Sequence, residues 1–115
     1  MGFFEIFKSD PIKKKILAIR RDMKTIIAAV CDERYWIDWF GSYDVHPKYL
    51  AFWICVKSDD MKMKLKSDEE LYKKLRSLLD QHGYPIEGRD GVFIGFESQE
   101  TVDRESHGRW EVHLQ

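Results

Sequence analysis

Cysteine and proline are scarce in this chain, at 2 and 3 residues, and neither sign of charge is in excess. Each shortage excludes something. Cys31 and Cys55 stand alone, with no CxxC pair, so no disulfide framework is expected. They read as buried reduced thiols in a cytoplasmic protein, with a disulfide in an exported protein as the alternative. A net charge of −1 argues against a general nucleic-acid binder, which carries a strong basic excess. No apolar run approaches the roughly 20 residues that span a bilayer. The start, MGFFEIFKSD, is too short for a secretory signal, and Ile6 misses the myristoylation pattern. His46, His82, His107 and His113 show no metal-ligand spacing, so neither metal nor cofactor is expected. Gly88 to Gly91 precedes a strand rather than a helix and is no phosphate loop; Ser98 and Ser106 sit in no nucleophile elbow.

What is abundant is aromatic: 14% of the 115 residues, including 4 Trp. The richest stretch, Tyr49 to Lys57, is apolar on both strand faces. Leu50, Phe52, Ile54 and Val56 share one side, and Tyr49, Ala51, Trp53 and Cys55 the other. Such a strand belongs in the middle of a sheet.

The other elements follow in order. Phe3, Phe4, Ile6 and Phe7 are expected to dock onto the domain, with a membrane-surface anchor as the weaker reading. Asp10 as N-cap and Pro11 at the first helical position open a helix whose apolar stripe runs from Ile12 to Val30. Strand one is 35–43 and strand two is 49–57, joined as an antiparallel hairpin. The Lys-rich segment 58–66 reads equally as loop or strand extension. Ser67, with Glu70 three residues on, forms a capping box for a helix reaching His82, which Gly83 and Pro85 stop. Strand three is 92–98. Residues 99–108 form a charged connection with room for a helical turn, and 109–114 a last strand.

The order is α-β-β-α-β-β, predicting a single α+β domain over 1–115: a two-layer sandwich with a four-stranded, mainly antiparallel sheet and two helices on one face. Tyr35/Ile37/Trp39, Leu50/Phe52/Ile54/Val56, Val92/Ile94/Phe96 and Trp110/Val112/Leu114 then lie under the helices. The opposite face presents Trp36, Asp38, Phe40, Tyr49, Trp53, Cys55, Phe93, Glu97, Glu111 and His113, with Gly95 leaving a shallow depression.

This second face carries the functional expectation. It could be covered by residues 99–108, by the N-terminal phenylalanines, or by a second subunit through a sheet-face homodimer. It could be a non-catalytic recognition surface, with Trp36, Asp38, Tyr49, Trp53, Phe93, Glu97, Glu111 and His113 selecting a basic or cationic protein partner. An inhibitor or immunity-type protein would fit that reading, with no membrane and no nucleic acid involved. The alternative is a small-molecule-binding domain or enzyme in which Asp38, Glu97 and His113 converge for acid–base work. The recognition module is the reading adopted.

Overall fold

A computed structural model describes residues 10–114. The expected docking of Phe3, Phe4, Ile6 and Phe7 lies outside the described residues. Three strands and six helices are present among them. Helix α1 is Pro11–Ala28. Strands β1 (Tyr35–Phe40) and β2 (Ala51–Val56) follow, then α2 (Asp59–Lys66), α3 (Glu69–Gln81) and α4 (Ile86–Arg89). Strand β3 (Phe93–Ser98) leads directly into α5 (Gln99–Ser106) and α6 (Trp110–His113).

The sheet order is β1-β2-β3, so β2 is central, as its two apolar faces require. β1 and β2 form the expected antiparallel hairpin, with Asp38 opposite Trp53. β3, however, runs parallel to β2, with Trp53 opposite Gly95 and Cys55 opposite Glu97. A parallel neighbour needs a long crossover, and α2, α3 and α4 supply it.

The four-stranded sheet with two helices on one face is therefore not what forms. Residues 58–66 are neither loop nor strand. Ser58 caps α2 by accepting the Met61 N–H at 3.1 Å, and Asp59 and Asp60 complement the positive helix end. Met61 and Leu65, four apart, enter the core, while Met63 is 58% exposed. Met61, Met63 and Leu65 alternate as a strand would, but the helical spacing of Met61 and Leu65 is the one the core uses, and Met63 falls off that stripe. The last strand is also absent. Trp110, His113 and Leu114 share a three- and four-residue spacing, and 110–113 is a short helix. Its neighbour α5 occupies the segment expected as a connection, capped by Ser98 accepting from Thr101 N–H. The cap of α3 is Asp68, not Ser67; its carboxylate accepts the Leu71 N–H at 3.0 Å. Asp10, Pro11 and Gly83 act as expected, the last at φ +64° in the left-handed stop.

The core is a single cluster. Ile16, Ile19, Met23 and Ile27 of α1 and Leu71, Leu75, Leu78 and Leu79 of α3 close over Ile37, Phe52, Ile54, Val56 and Ile94. Both cysteines are buried and unpaired. Burial pushes the Cys55 thiol up to about 12, and the charges of Asp38 and Glu97 add to the shift. No helix among the described residues is long and apolar enough to cross a membrane.

Candidate functional site

The register puts Trp36, Asp38, Trp53, Cys55, Phe93, Gly95 and Glu97 on one side of the sheet, away from α1 and α3. That alternation is as the strand pattern demands, but the two ends of the face have different fates. At the end where β2 and β3 finish, the chain folds back through α5 and α6 and covers it. Cys55 is wholly buried there, and Trp36 is half-buried against the Trp110 ring, edge to face at 5.1 Å. At the other end Phe40 and Phe93 stay 44% and 48% exposed, and Asp38 is exposed.

Trp110 was expected beneath the helices with Val112 and Leu114. It lies instead on the second face, because α6 is a helix and turns the indole toward Trp36. Its Nε1–H donates to Gln99 Oε1 at 2.8 Å. His107 and Gly108, at φ +52° and +78°, make the sharp bend that brings α6 back. Tyr49 is not on the sheet. It sits in the loop before β2, exposed, with Lys48 Nζ 5.2 Å from its ring and His46 beside it.

Glu97 and His113 do converge. His113 Nε2 lies 2.7 Å from Glu97 Oε2, and His113 Nδ1 lies 2.9 Å from Ser106 Oγ. With Nε2–H donating to the carboxylate, a neutral ring leaves Nδ1 to accept from the serine hydroxyl. The other Glu97 oxygen accepts from Lys62 Nζ at 2.8 Å and from Ser98 N–H at 2.9 Å. Burial alone would raise the Glu97 carboxyl. The Lys62 ammonium, the Ser98 N–H and His113 outweigh that and hold it below the ordinary glutamate value. The network continues: Lys62 Nζ donates to Thr101 Oγ1, and Thr101 and Ser98 hydroxyls donate to Asp59 at 2.6 and 2.5 Å. These two hydroxyls, with the Arg104 guanidinium, hold Asp59 far below the usual carboxylate range. Asp38 makes no contact with this group and stands toward the open end.

Two clefts flank the face. An acidic groove of about 470 Å³ lies between β1 and α6, lined by Asp38, Phe40, Trp110, Glu111 and Leu114. A second cleft of about 370 Å³ runs beside β3, lined by Trp53, Phe93, Gly95, Glu97, Lys62, Lys66 and Tyr72 among others. Trp53 and Phe93 meet in it with ring centroids 4.9 Å apart. Gly95 is required beneath them: a Cβ would stand 3.0 Å from Trp53 Cζ3 and closer still to the Phe93 ring.

No protein-family model matches this chain, and no curated protein or solved structure does. The site therefore speaks through its chemistry. It holds aromatic walls with carboxylates at one side and ammonium groups at the other. Among the described residues no cluster of three or more His, Cys, Asp or Glu could hold a metal ion. Sequence reasoning missed Trp110, Leu114 and Lys62, all of which depend on helices that it read as strand or loop.

Proposed function

We propose that this protein is a recognition module whose acidic groove takes a basic side chain of a protein partner. One observation carries the reading: Asp38 and Glu111 share a groove with the Phe40 and Trp110 rings. Two carboxylates beside two aromatic faces suit a guanidinium or ammonium group, through paired hydrogen bonds and cation–π attraction. Arg109 is 3.8 Å from Glu111, but both side chains are largely exposed, so a partner's arginine can displace that contact. Trp36 and Trp53 extend the aromatic surface, while Glu97 and His113 are already engaged with each other and support α6 rather than face the partner. A cytoplasmic setting and an inhibitory or immunity-like role against a basic protein surface belong to the same reading. So does a non-catalytic character.

The test is a titration with an octa-arginine peptide, followed by tryptophan fluorescence at low salt. Saturable binding is expected, weakened about 5- to 10-fold in the Asp38→Asn/Glu111→Gln variant, as the loss of two charge-assisted contacts would give. Glu70→Gln/Asp80→Asn, two exposed positions on α3 outside the groove lining, removes the same two charges and controls for net charge. Equal losses in the two variants would reject the groove as the binding surface.

A second reading has one observation in its favour. Ser106, His113 and Glu97 form a relay in which the imidazole could draw the hydroxyl proton toward an acyl-transfer step. Neither cleft is lined by Ser106 or His113; only Glu97 reaches the second cleft, and its carboxylate is taken up by Lys62, Ser98 N–H and His113. We therefore place it as the fastening of α6. Labelling of Ser106 by a fluorophosphonate, abolished in Ser106→Ala, would restore the enzymatic reading.

A further inference from the structure

The acidic groove leaves the cleft on the opposite flank of the sheet face without a role. Its volume, about 370 Å³, falls in the range of small-ligand sites. An extended chain does not fit it. Ile94 and Phe96 are only 4% and 8% exposed, and α2 packs along the β3 edge. What the cleft has room for is a compact molecule.

Its walls are aromatic and fixed. The Phe93 ring leans over Gly95 and meets Trp53 with centroids 4.9 Å apart. Phe93 lines the cleft and stays 48% exposed, so its ring is available to a flat guest. Tyr72 of α3, 41% exposed, supplies a second ring. The helices behind these walls are seated in the core by Met61 and Leu65 of α2 and by Leu71 and Leu75 of α3. Rings held in place in this way bind at little ordering cost.

The charge of the cleft is unbalanced. Lys62 and Lys66 both line it, and standing four apart on α2 they share one side of that helix, where like charges repel. Glu97 is the only carboxylate among the lining residues, and Lys62, Ser98 N–H and His113 take up its oxygens. Lys66 is exposed and forms no ion pair among the described residues. The Lys62 side chain is only 16% exposed. Its partners among the described residues are Glu97 and Thr101, and an ammonium has three donors. One shielded N–H and one uncancelled positive charge thus stand side by side next to aromatic rings.

We propose that this cleft binds a small planar aromatic carboxylate. Its ring lies against Phe93 and Tyr72, and its carboxylate accepts the third Lys62 N–H and pairs with Lys66. Both halves of the ligand are needed. An aliphatic acid lacks the ring contact, and a neutral arene leaves the two ammonium groups unanswered. The site is separate from the acidic groove and does not depend on a partner's basic side chain.

The experiment titrates the full chain with 2-naphthoate and follows the backbone amides by two-dimensional NMR. Saturable shifts are expected at Phe93, Gly95 and Lys66. Two analogues divide the ligand: 2-naphthalenemethanol keeps the ring without the charge, and cyclohexanecarboxylate keeps the charge without the aromatic ring. Each should bind more weakly by about 5-fold or more. Lys66→Gln should weaken 2-naphthoate about 5-fold, the upper end for an exposed ion pair. Tyr72→Ala should weaken it independently. Both side chains are exposed, so neither change threatens the fold. Asp38→Asn, in the other groove, should leave binding unchanged. The absence of saturable shifts at millimolar acid overturns the proposal, as do shifts confined to residues outside the cleft. Equal binding of the acid and the alcohol overturns it as well, and so does a loss in Asp38→Asn as large as that in Lys66→Gln.

Discussion

The two flanks of the sheet face are built in opposite ways. Beside β3, helix α2 sends Met61 and Leu65 into the core, so the wall of that cleft is part of the folding unit. Beside β1, helix α6 has no buried residue at all. It is held by the Trp110–Trp36 ring contact, the Trp110 Nε1–H bond to Gln99, and the His113–Glu97 pair. A wall that shares the core's contacts opens only with global unfolding. A wall fastened by a few polar and ring contacts outside the core opens at lower cost. The basic cleft is thus expected to be preformed and rigid. The acidic groove is adjustable, closing around a partner's side chain.

The largest effect should come from removing that distinction altogether. Leu65 is 1% exposed. Leu65→Ala deletes buried methylenes and leaves a cavity, which costs about 2–5 kcal/mol. Both flanks should then be lost together, with a lower denaturant midpoint and slope unchanged. A variant that loses only the β3 cleft, with the rest of the core intact, would show that α2 is not integral to folding.

Glu97 should produce the next largest effect, because it joins the two flanks. Its carboxylate is bound by Lys62 on one side and His113 on the other. Both pairs are well shielded, with side-chain exposures of 11–16%. Glu97→Gln leaves Lys62 half-buried without its counter-charge and should cost about 3 kcal/mol, the low end for breaking a buried pair. The pH dependence has a definite sign. The folded-state value of Glu97 is depressed, so its contribution is fully present above the ordinary glutamate value and is lost as pH falls through the lower, folded one. Asp59, also depressed, acts in the same direction. Stability should therefore fall with acid on the low side of about pH 4, and more shallowly in Glu97→Gln. An unaltered acid slope in that variant would remove Glu97 from the linkage.

How much of this was legible beforehand divides along the same line. Parity along β1, β2 and β3 was readable, because side chains alternate strictly and six-residue strands give enough repeats. Asp38, Trp53, Phe93 and Glu97 therefore share a face as the pattern requires. The caps at Asp10 and Gly83 were readable because a single residue type meets a local backbone need. What failed was short helices with few periodic residues. Ser58-Asp59-Asp60 is a good cap sequence before Met61 and Leu65, and it was passed over because Met63 completed a competing alternation. For 109–114, three apolar residues cannot distinguish the periods, and only packing against Trp36 and Glu97 decides. The parallel direction of β3 was hidden because 92–98 was paired with 109–114 as a hairpin, although the helix from Ser67 to His82 already offered a crossover from β2. Convergence of His113 with Glu97 could be named as a condition, but no spacing rule could have required it.

The smallest effect on stability should be the most informative about α6. Trp110 is half-buried, and Trp110→Ala removes one edge-to-face ring pair, worth about 1 kcal/mol beyond its area. Since α6 adds no side chain to the core, the global unfolding midpoint should barely move. Amide exchange should instead quicken at Val112, His113 and Leu114, whose N–H groups bond within the helix. Octa-arginine binding should weaken with it, because both Trp110 and Glu111 leave the groove wall. If the global midpoint falls as well, the two flanks are coupled through Glu97, which Lys62 and His113 share. If octa-arginine binding is unchanged, α6 is not the wall of a binding groove, and Asp38 with Phe40 is left as an ordinary solvated strand edge.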